Sequence, residues 1–317
     1  MATGEFDLIA RIRARAGTRD DVVLGIGDDA ALLAPPPGLQ LVVTADTLNA
    51  GIHFPHDSAP ADIGWKSLAV NLSDLAAMGA APAWCTLSLS LPQSDATWID
   101  GFLDGFLDLA ERHGIALVGG DTTRGPLSIS VTAMGLVEPG RALRRDGARV
   151  GDDVWVTGTL GDAAGGLARL SGETVPALRA RLDRPSPRVD AGRALRGIAT
   201  ACVDVSDGLL ADLGHIASRS GVGAQVDVDA LPMSEALRAA FDETACIALQ
   251  ASGGDDYELC FSAPADARDR VEALSSQLGL RITRIGRIEA GEGVQALHAD
   301  GRPWSAERRG YDHFAAP

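Results

Sequence analysis

PADIGWKSLAVNLSDLAAMGAAPAWCTLSLSL, residues 60–91, joins two periodicities in one stretch. Up to Met78 the apolar residues recur at helical spacing, with Asp62 near the first turn and Gly79 just past the end, so the pattern predicts a helix over 60–78. From Ala83 to Leu91 apolar and small polar residues alternate, which predicts a strand with one buried face. Working outward, LQLVVTA (39–45) reads as a buried strand ending at Asp46. Residues 97–113 read as an amphipathic helix with Trp98, Phe102, Phe106 and Leu109 on one side and Gly114 as the stop. IALV (115–118) reads as a short strand that breaks into GGDTTRGP, and SISVTAMGLV (128–137) as another strand. The first half thus holds four strands with helices between them.

EPGRALRRDGARVGD (138–152) is rich in Gly, Arg and turn formers, and the domain boundary belongs there. The expected division is 1–138, a linker at 139–152, and 153–317. The second half opens with the strand DVWVTGT (153–159), followed by helices near 162–171 and 188–198. After the DVSDGL turn come a helix at 207–219, the strand GAQVDVD, the strand YELCFSA, a helix at about 265–278 and the strand LRITRIGRI. Strands mixed with helices in both halves give an α+β, two-domain class.

The formal charge is -15, and Lys66 is the only lysine. Such a surface repels nucleic acid and anionic lipid, because no basic patch exists to displace counterions. A chain this acidic can still handle phosphates, provided that cations or a few arginines stand between the like charges. No stretch of about 18 apolar residues occurs, so no membrane span is expected. MATGEFDLIARIRARAG has no signal-peptide pattern. Cys85, Cys202, Cys246 and Cys260 are far apart with no CxxC, and read as buried thiols of a cytoplasmic protein.

The aspartates carry the chemistry. Asp28 and Asp29 lie in GIGDDA, Asp46 ends a strand, Asp74 is on the helix and Asp121 lies in GGDTT. Asp204 and Asp207 lie in DVSDGL, and Asp255 and Asp256 in SGGDDYEL. Each alone suits a turn or a helix cap. Together, at element ends beside glycines, they suit a ligand site. Ser67, Asn71 and Asp74, spaced i, i+4, i+7, form one polar stripe on an otherwise apolar helix, so the carboxylate needs a partner or a cation.

Several other motifs drop out. GIGDDA imitates a dinucleotide fingerprint, but the three prolines of ALLAPPPG stop any following helix, and two aspartates would repel a pyrophosphate unless Mg²⁺ lay between. The lone lysine is in no P-loop and no protein-kinase motif, so Arg124, Arg144 and Arg145 are the candidate phosphate cations. His53 and His56 have HxxH spacing, but Pro55 forbids the regular helix that a zinc pair needs.

Taken in order, GEFDLIARI, GIGDDAALL, TADTL with GIHF, KSLAVNLSDLAAMGA, GGDTTRGPLS, GRALRRDGA, VTGTLGD, DVSDGLLADLGHI, SGGDDYELCF and GYDHF resemble the thiamine-monophosphate kinases nearly end to end. SDLAAMGA and GGDT also suit the wider superfamily of aminoimidazole ribonucleotide synthetase and selenophosphate synthetase. The resemblance implies two PurM-like domains: an N-terminal one whose four-stranded sheet joins a β-barrel across a homodimer, and an α/β C-terminal one. It implies ATP-dependent phosphorylation of thiamine monophosphate to thiamine diphosphate with several Mg²⁺ ions.

By motif match it implies metal ligands at Asp29, Thr44, Ala45 (through its carbonyl), Asp46, Asp74, Asp121, Asp204 and Asp207. Gly120, Asp121, Arg145 and Ser206 would lie along ATP, and His53, Asp255 and Tyr311 on the thiamine phosphate. Asp46, Asp121 and Arg145 would be catalytic. Ala45 stands where the family usually has a hydroxyl residue, and Asp255 where it often has Glu. The acceptor phosphate has a second pKa of about 6 and is largely dianionic near neutrality, so no general base is required. A sister reaction on another substrate, a non-catalytic binder of thiamine phosphates and a nucleotide-binding regulator are the alternatives; the number of acidic residues disfavours the second and the charge the third.

Overall fold

The computed structural model describes residues 4–305, 310 and 311; Asp312, His313 and Phe314 of the GYDHF tail lie outside the described residues. The chain divides into two compact units, one of residues 1–75 and 80–140, the other of 76–79 and 141–317.

The first unit contains α1 (Glu5–Arg15), β1 (Val22–Leu24), β2 (Leu32–Leu33), β3 (Gln40–Asn49), α2 (Pro60–Ala77, its last residues counted with the second unit), β4 (Ala81–Leu91), α3 (Ala96–His113), β5 (Ala116–Arg124) and β6 (Ser128–Val137). Four strands form a sheet in the order β3-β6-β4-β5, antiparallel except for the β4/β5 pair. The predicted helix and strand of residues 60–91 are both present. α2 is apolar almost all round, so it is buried almost all round: Leu68, Leu72 and Leu75 are fully covered. Lys66 is covered as well, at 1% exposure. Gly64 and Gly105 let α2 and α3 touch, since a Cβ on either would overlap a backbone carbonyl of the other helix. Asp95 caps α3 by accepting from the amides of Thr97 and Trp98.

Two sequence expectations need correction here: the segment read as a buried strand ending at Asp46 is a largely exposed edge strand that runs to Asn49, and a second strand is longer than its pattern suggests. The strand predicted at 115–118 does not break at GGDTT but runs on to Arg124, paired in parallel with β4. Gly120 makes this possible: its φ of 149° and the close approach of the Leu87 carbonyl leave no room for a Cβ. The hairpin β1–β2, not predicted because of the proline run that follows it, packs Val22 and Leu33 against the cluster of Trp84, Val118 and Leu136. Asp21 accepts from the Trp84 indole at 3.0 Å.

The second unit holds β7 (Asp153–Thr157), α4 (Asp162–Ala168), α5 (Pro176–Asp183), α6 (Val189–Leu195), β8 (Ala201–Asp204), α7 (Leu209–Ser220), β9 (Gly223–Asp227), α8 (Glu235–Ala240), α9 (Glu243–Ser252), β10 (Leu259–Ala263), α10 (Arg268–Leu278), β11 (Ile282–Glu289), β12 (Gly293–Leu297) and β13 (Pro303–Trp304). Its seven-stranded sheet has the order β13-β12-β9-β11-β7-β10-β8. Val154, Val156, Val203, Leu213, Ile216, Val226 and Ile285 build its main core. The strand predicted to start at Tyr257 begins instead at Leu259, because Asp255 and Tyr257 both have positive φ, at 68° and 50°. Among the described residues no helix is long and apolar enough to cross a membrane.

Candidate active site

In the first unit the sheet has one face against helices and one open face, which the β1–β2 hairpin covers at its Trp84 and Leu136 end. Strand alternation and register assign the side chains. Thr44, Asp46 and Leu48 of β3 are on the helix face, in line with Ala133, Val131 and Ile129 of β6. The α2 stripe meets them there. Thr44 Oγ1 donates to Asp74 Oδ2 at 2.5 Å, and the Asp46 amide donates to Asn71 Oδ1 at 3.1 Å. Asn71 in turn donates through Nδ2 to the Ser67 carbonyl, and the Ser67 hydroxyl to the Gly64 carbonyl. The polar stripe therefore faces β3, not solvent, and ties Asp74 to the strand that carries Thr44 and Asp46.

The open face carries a different set. Ladder pairs run Thr47–Ser130–Ser88–Asp121 across the four strands, and Asn49–Ser128–Ser90–Thr123 beside it. Thr47 and Ser130 share a hydrogen bond at 2.7 Å. Asp121 accepts from the Thr122 amide and is exposed. Ala45 is on this face too, in line with Thr132. Asp28 and Asp29, exposed in the loop of the β1–β2 hairpin, are linked by a bond from the Asp29 amide to Asp28 Oδ1 at 2.9 Å. Asp46 and Asp121 are thus on opposite faces and three strand spacings apart, about 14 Å. A cavity of about 90 Å³ beside Gly120 and Asp121 is lined by Ile9, Ile12, Ile26 and Leu117. His53 is fixed at the end of β3, its Nδ1 accepting from the Asn49 amide at 2.9 Å.

In the second unit β8 delivers Asp204 to the turn that precedes α7. The Ser206 carbonyl accepts from the Asp255 amide at 2.8 Å, and the Asp207 carbonyl from the Tyr311 amide at 3.0 Å. The structure therefore brings Asp204, Ser206, Asp207, Asp255 and Tyr311 around one turn. Asp212, which sequence reasoning did not single out, holds that turn: its Oδ2 accepts from the amides of Ser206, Asp207 and Gly208 at 3.0–3.1 Å. Burial, with the Asp207 charge added, pushes its carboxyl up to about 7 against the pull of those three amides. A carboxylate one turn into a helix behind a Gly-containing loop was the signal available for it.

Arg145 is exposed, and its carbonyl accepts from Ser220 at 2.9 Å. Its neighbour Arg144 spends its guanidinium on Asp146. Glu258, fully buried, was also missed: it accepts from both Arg181 and Arg188 and from Thr157. Asp256 accepts from the Gly161 amide at 2.8 Å, and burial holds its carboxyl well above the usual range.

Among the described residues no three His, Cys, Asp or Glu side chains form a ready-made metal cage. The donors that do meet, Thr44 with Asp74 beside Asp46, are all oxygen. That chemistry fits Mg²⁺, which is bound through one or two carboxylates plus substrate phosphates more often than by an all-protein cage.

Residues 27–137 match the family described as AIR synthase related protein, N-terminal domain, and 149–298 the corresponding C-terminal domain. The chain is 50% identical to the thiamine-monophosphate kinase of Salmonella typhimurium and 48% to that of Escherichia coli K12, in each case across the full length of both. The crystal structure of thiamine-monophosphate kinase from Stenotrophomonas maltophilia is 60% identical, with a TM-score of 0.87 over 96% of this chain and 99% of that one. AaThiL complexed with AMPPCP and TMP is 36% identical, with a TM-score of 0.79 over 98% and 97%. The hydrogenase maturation protein HypE, at 21% identity, shares the fold alone.

Proposed function

The chain belongs to the thiamine-monophosphate kinase family and phosphorylates thiamine monophosphate with ATP, and we propose that the transfer is direct, in line and magnesium-assisted. The AaThiL complex carries this reading, because a relative aligned over 98% of the chain binds both an ATP analogue and TMP. Magnesium, when bound, offsets the charge that keeps two phosphate anions apart. Several such ions are involved, and Asp29, Thr44, Asp46, Asp74 and Asp121 in the first unit and Asp204 and Asp207 in the second would supply ligands for them. Ala45 contributes at most its carbonyl, its methyl group being on the open face.

The chain's own residues orient the reactants. The Gly120 and Ser206 backbones lie along ATP phosphates, and Arg145 adds a fixed positive charge. His53, Asp255 and Tyr311 hold the substrate, with the Tyr311 ring able to cover the cationic thiazolium. Incubation with Mg-ATP and thiamine monophosphate should yield thiamine diphosphate by chromatography, and none in EDTA. ADP release without that product, or product that survives chelation, would overturn the reading.

The working species is a homodimer joined along edge strand β3 of the sheet. Leu41 and Val43, on edge strand β3, are 52% and 57% exposed there, and a bare apolar edge invites pairing. Asp46 on edge strand β3 and Asp121 on edge strand β5 cannot meet within one chain, so each site would draw one of the two from a second copy. Val43→Lys should shift the protein to monomer in light scattering and lower turnover. A dimer with unchanged turnover would remove this role for β3. Four cysteines, all buried and unpaired, suit a reducing cytoplasm.

A further inference from the structure

Asp255 and Tyr257 are the only non-glycine residues with positive φ among those described. Left-handed backbone disfavours residues that carry a Cβ, and it persists where the surroundings dictate it. Here the surroundings do so from both sides. The amides of Asp255 and Tyr257 donate to the carbonyls of Ser206 and Val205, each at 2.8 Å. Between and after them Asp256 and Glu258 are locked inward, at 1% and 0% exposure, by the Gly161 amide and by Thr157, Arg181 and Arg188. Asp255 and Tyr257 are left half-buried, and the Tyr257 hydroxyl donates to Asp255 Oδ1 at 3.0 Å.

An unaided aspartate side chain rotates about two bonds. A phenol donated to one of its oxygens fixes that rotation. We propose that Tyr257 is a positioning residue for thiamine monophosphate: it sets the direction in which the Asp255 carboxylate meets the substrate. The strained backbone is what brings a tyrosine two residues on within reach of the acid. The proposal rests on the reading of Asp255 as a substrate contact. It gives Tyr257 a role in affinity for one substrate, separate from phosphoryl transfer and from ATP.

Tyr257→Phe removes one oxygen and keeps ring, backbone and packing. In the full-length protein, KM for thiamine monophosphate should rise about five- to tenfold, within the net value of one intramolecular hydrogen bond. kcat, KM for ATP and the melting temperature should stay as in the parent. In an Asp255→Ala background the same substitution should have no further effect. Wild-type kinetics for Tyr257→Phe would overturn the proposal, and so would an equal loss with and without Asp255, or a fall in kcat with a lowered melting temperature. If Asp255→Ala alone leaves KM for thiamine monophosphate unchanged, the substrate contact itself is wrong and the role of Tyr257 falls with it.

Discussion

Asp46→Asn should lower kcat by on the order of a hundred- to a thousandfold while the protein stays folded. The substitution is nearly isosteric and removes one negative charge. One bond from this residue to α2 runs from its backbone amide to Asn71 Oδ1, and that bond survives the change. Activity should therefore fall with little movement of the melting temperature. Near-normal turnover would remove Asp46 from the reaction.

The same variant tests whether sites are shared between protomers. Asp121→Asn should be as inactive as Asp46→Asn. If each site takes Asp46 from one protomer and Asp121 from its partner, a mixed dimer of the two variants regains one intact site. Random reassortment of equal amounts should then restore about a quarter of wild-type activity, because half the dimers are mixed and each has one good site of two. If Asp46 and Asp121 act within one chain, every site keeps a lesion and nothing is regained.

Glu258→Ala should be the most destabilising single change in the second unit. Glu258 is wholly buried and faces two guanidiniums that are only about one-fifth exposed, at 22% and 21%. Removing it strands two partly buried cations and leaves the Thr157 hydroxyl without its acceptor. Breaking such a group by deleting one partner costs about 3–5 kcal/mol. Urea titration should show an earlier midpoint with an unchanged slope. The exposed pair of Arg302 and Asp300, at 73% and 55%, gives the contrast: Asp300→Ala should leave the urea midpoint almost unmoved. Equal effects at the two positions would show that the Glu258 pairing adds nothing beyond a surface contact.

Much of the first unit was legible because its periodicities are clean. α2, α3, β4 and β6 follow from apolar spacing and from Gly79 and Gly114, whereas the apolar run at 39–45 gave no sign that β3 is an exposed edge strand reaching Asn49. The Ser67–Asn71–Asp74 stripe announced a buried polar partner, and β3 supplied it through Thr44 and Asp46. The end of β5 was not legible. GGDTTR reads as a turn by composition, and only the close approach of the Leu87 carbonyl shows why glycine is needed inside a strand. Glu258 was hidden for another reason. Its bonds to Thr157, Arg181 and Arg188 span 101, 77 and 70 residues, and no local pattern encodes such distances. Asp212 lay in between: its reach is four to six residues, within view of a reader who asks what satisfies the amides of the DVSDGL turn.

The solitary lysine has a practical meaning. Because Lys66 is sealed inside α2 packing, amine-directed reagents have no ε-ammonium to attack on the native surface. Acylation of that nitrogen requires the first unit to open, so the rate at which an activated ester modifies Lys66 becomes a built-in clock for how often it does so.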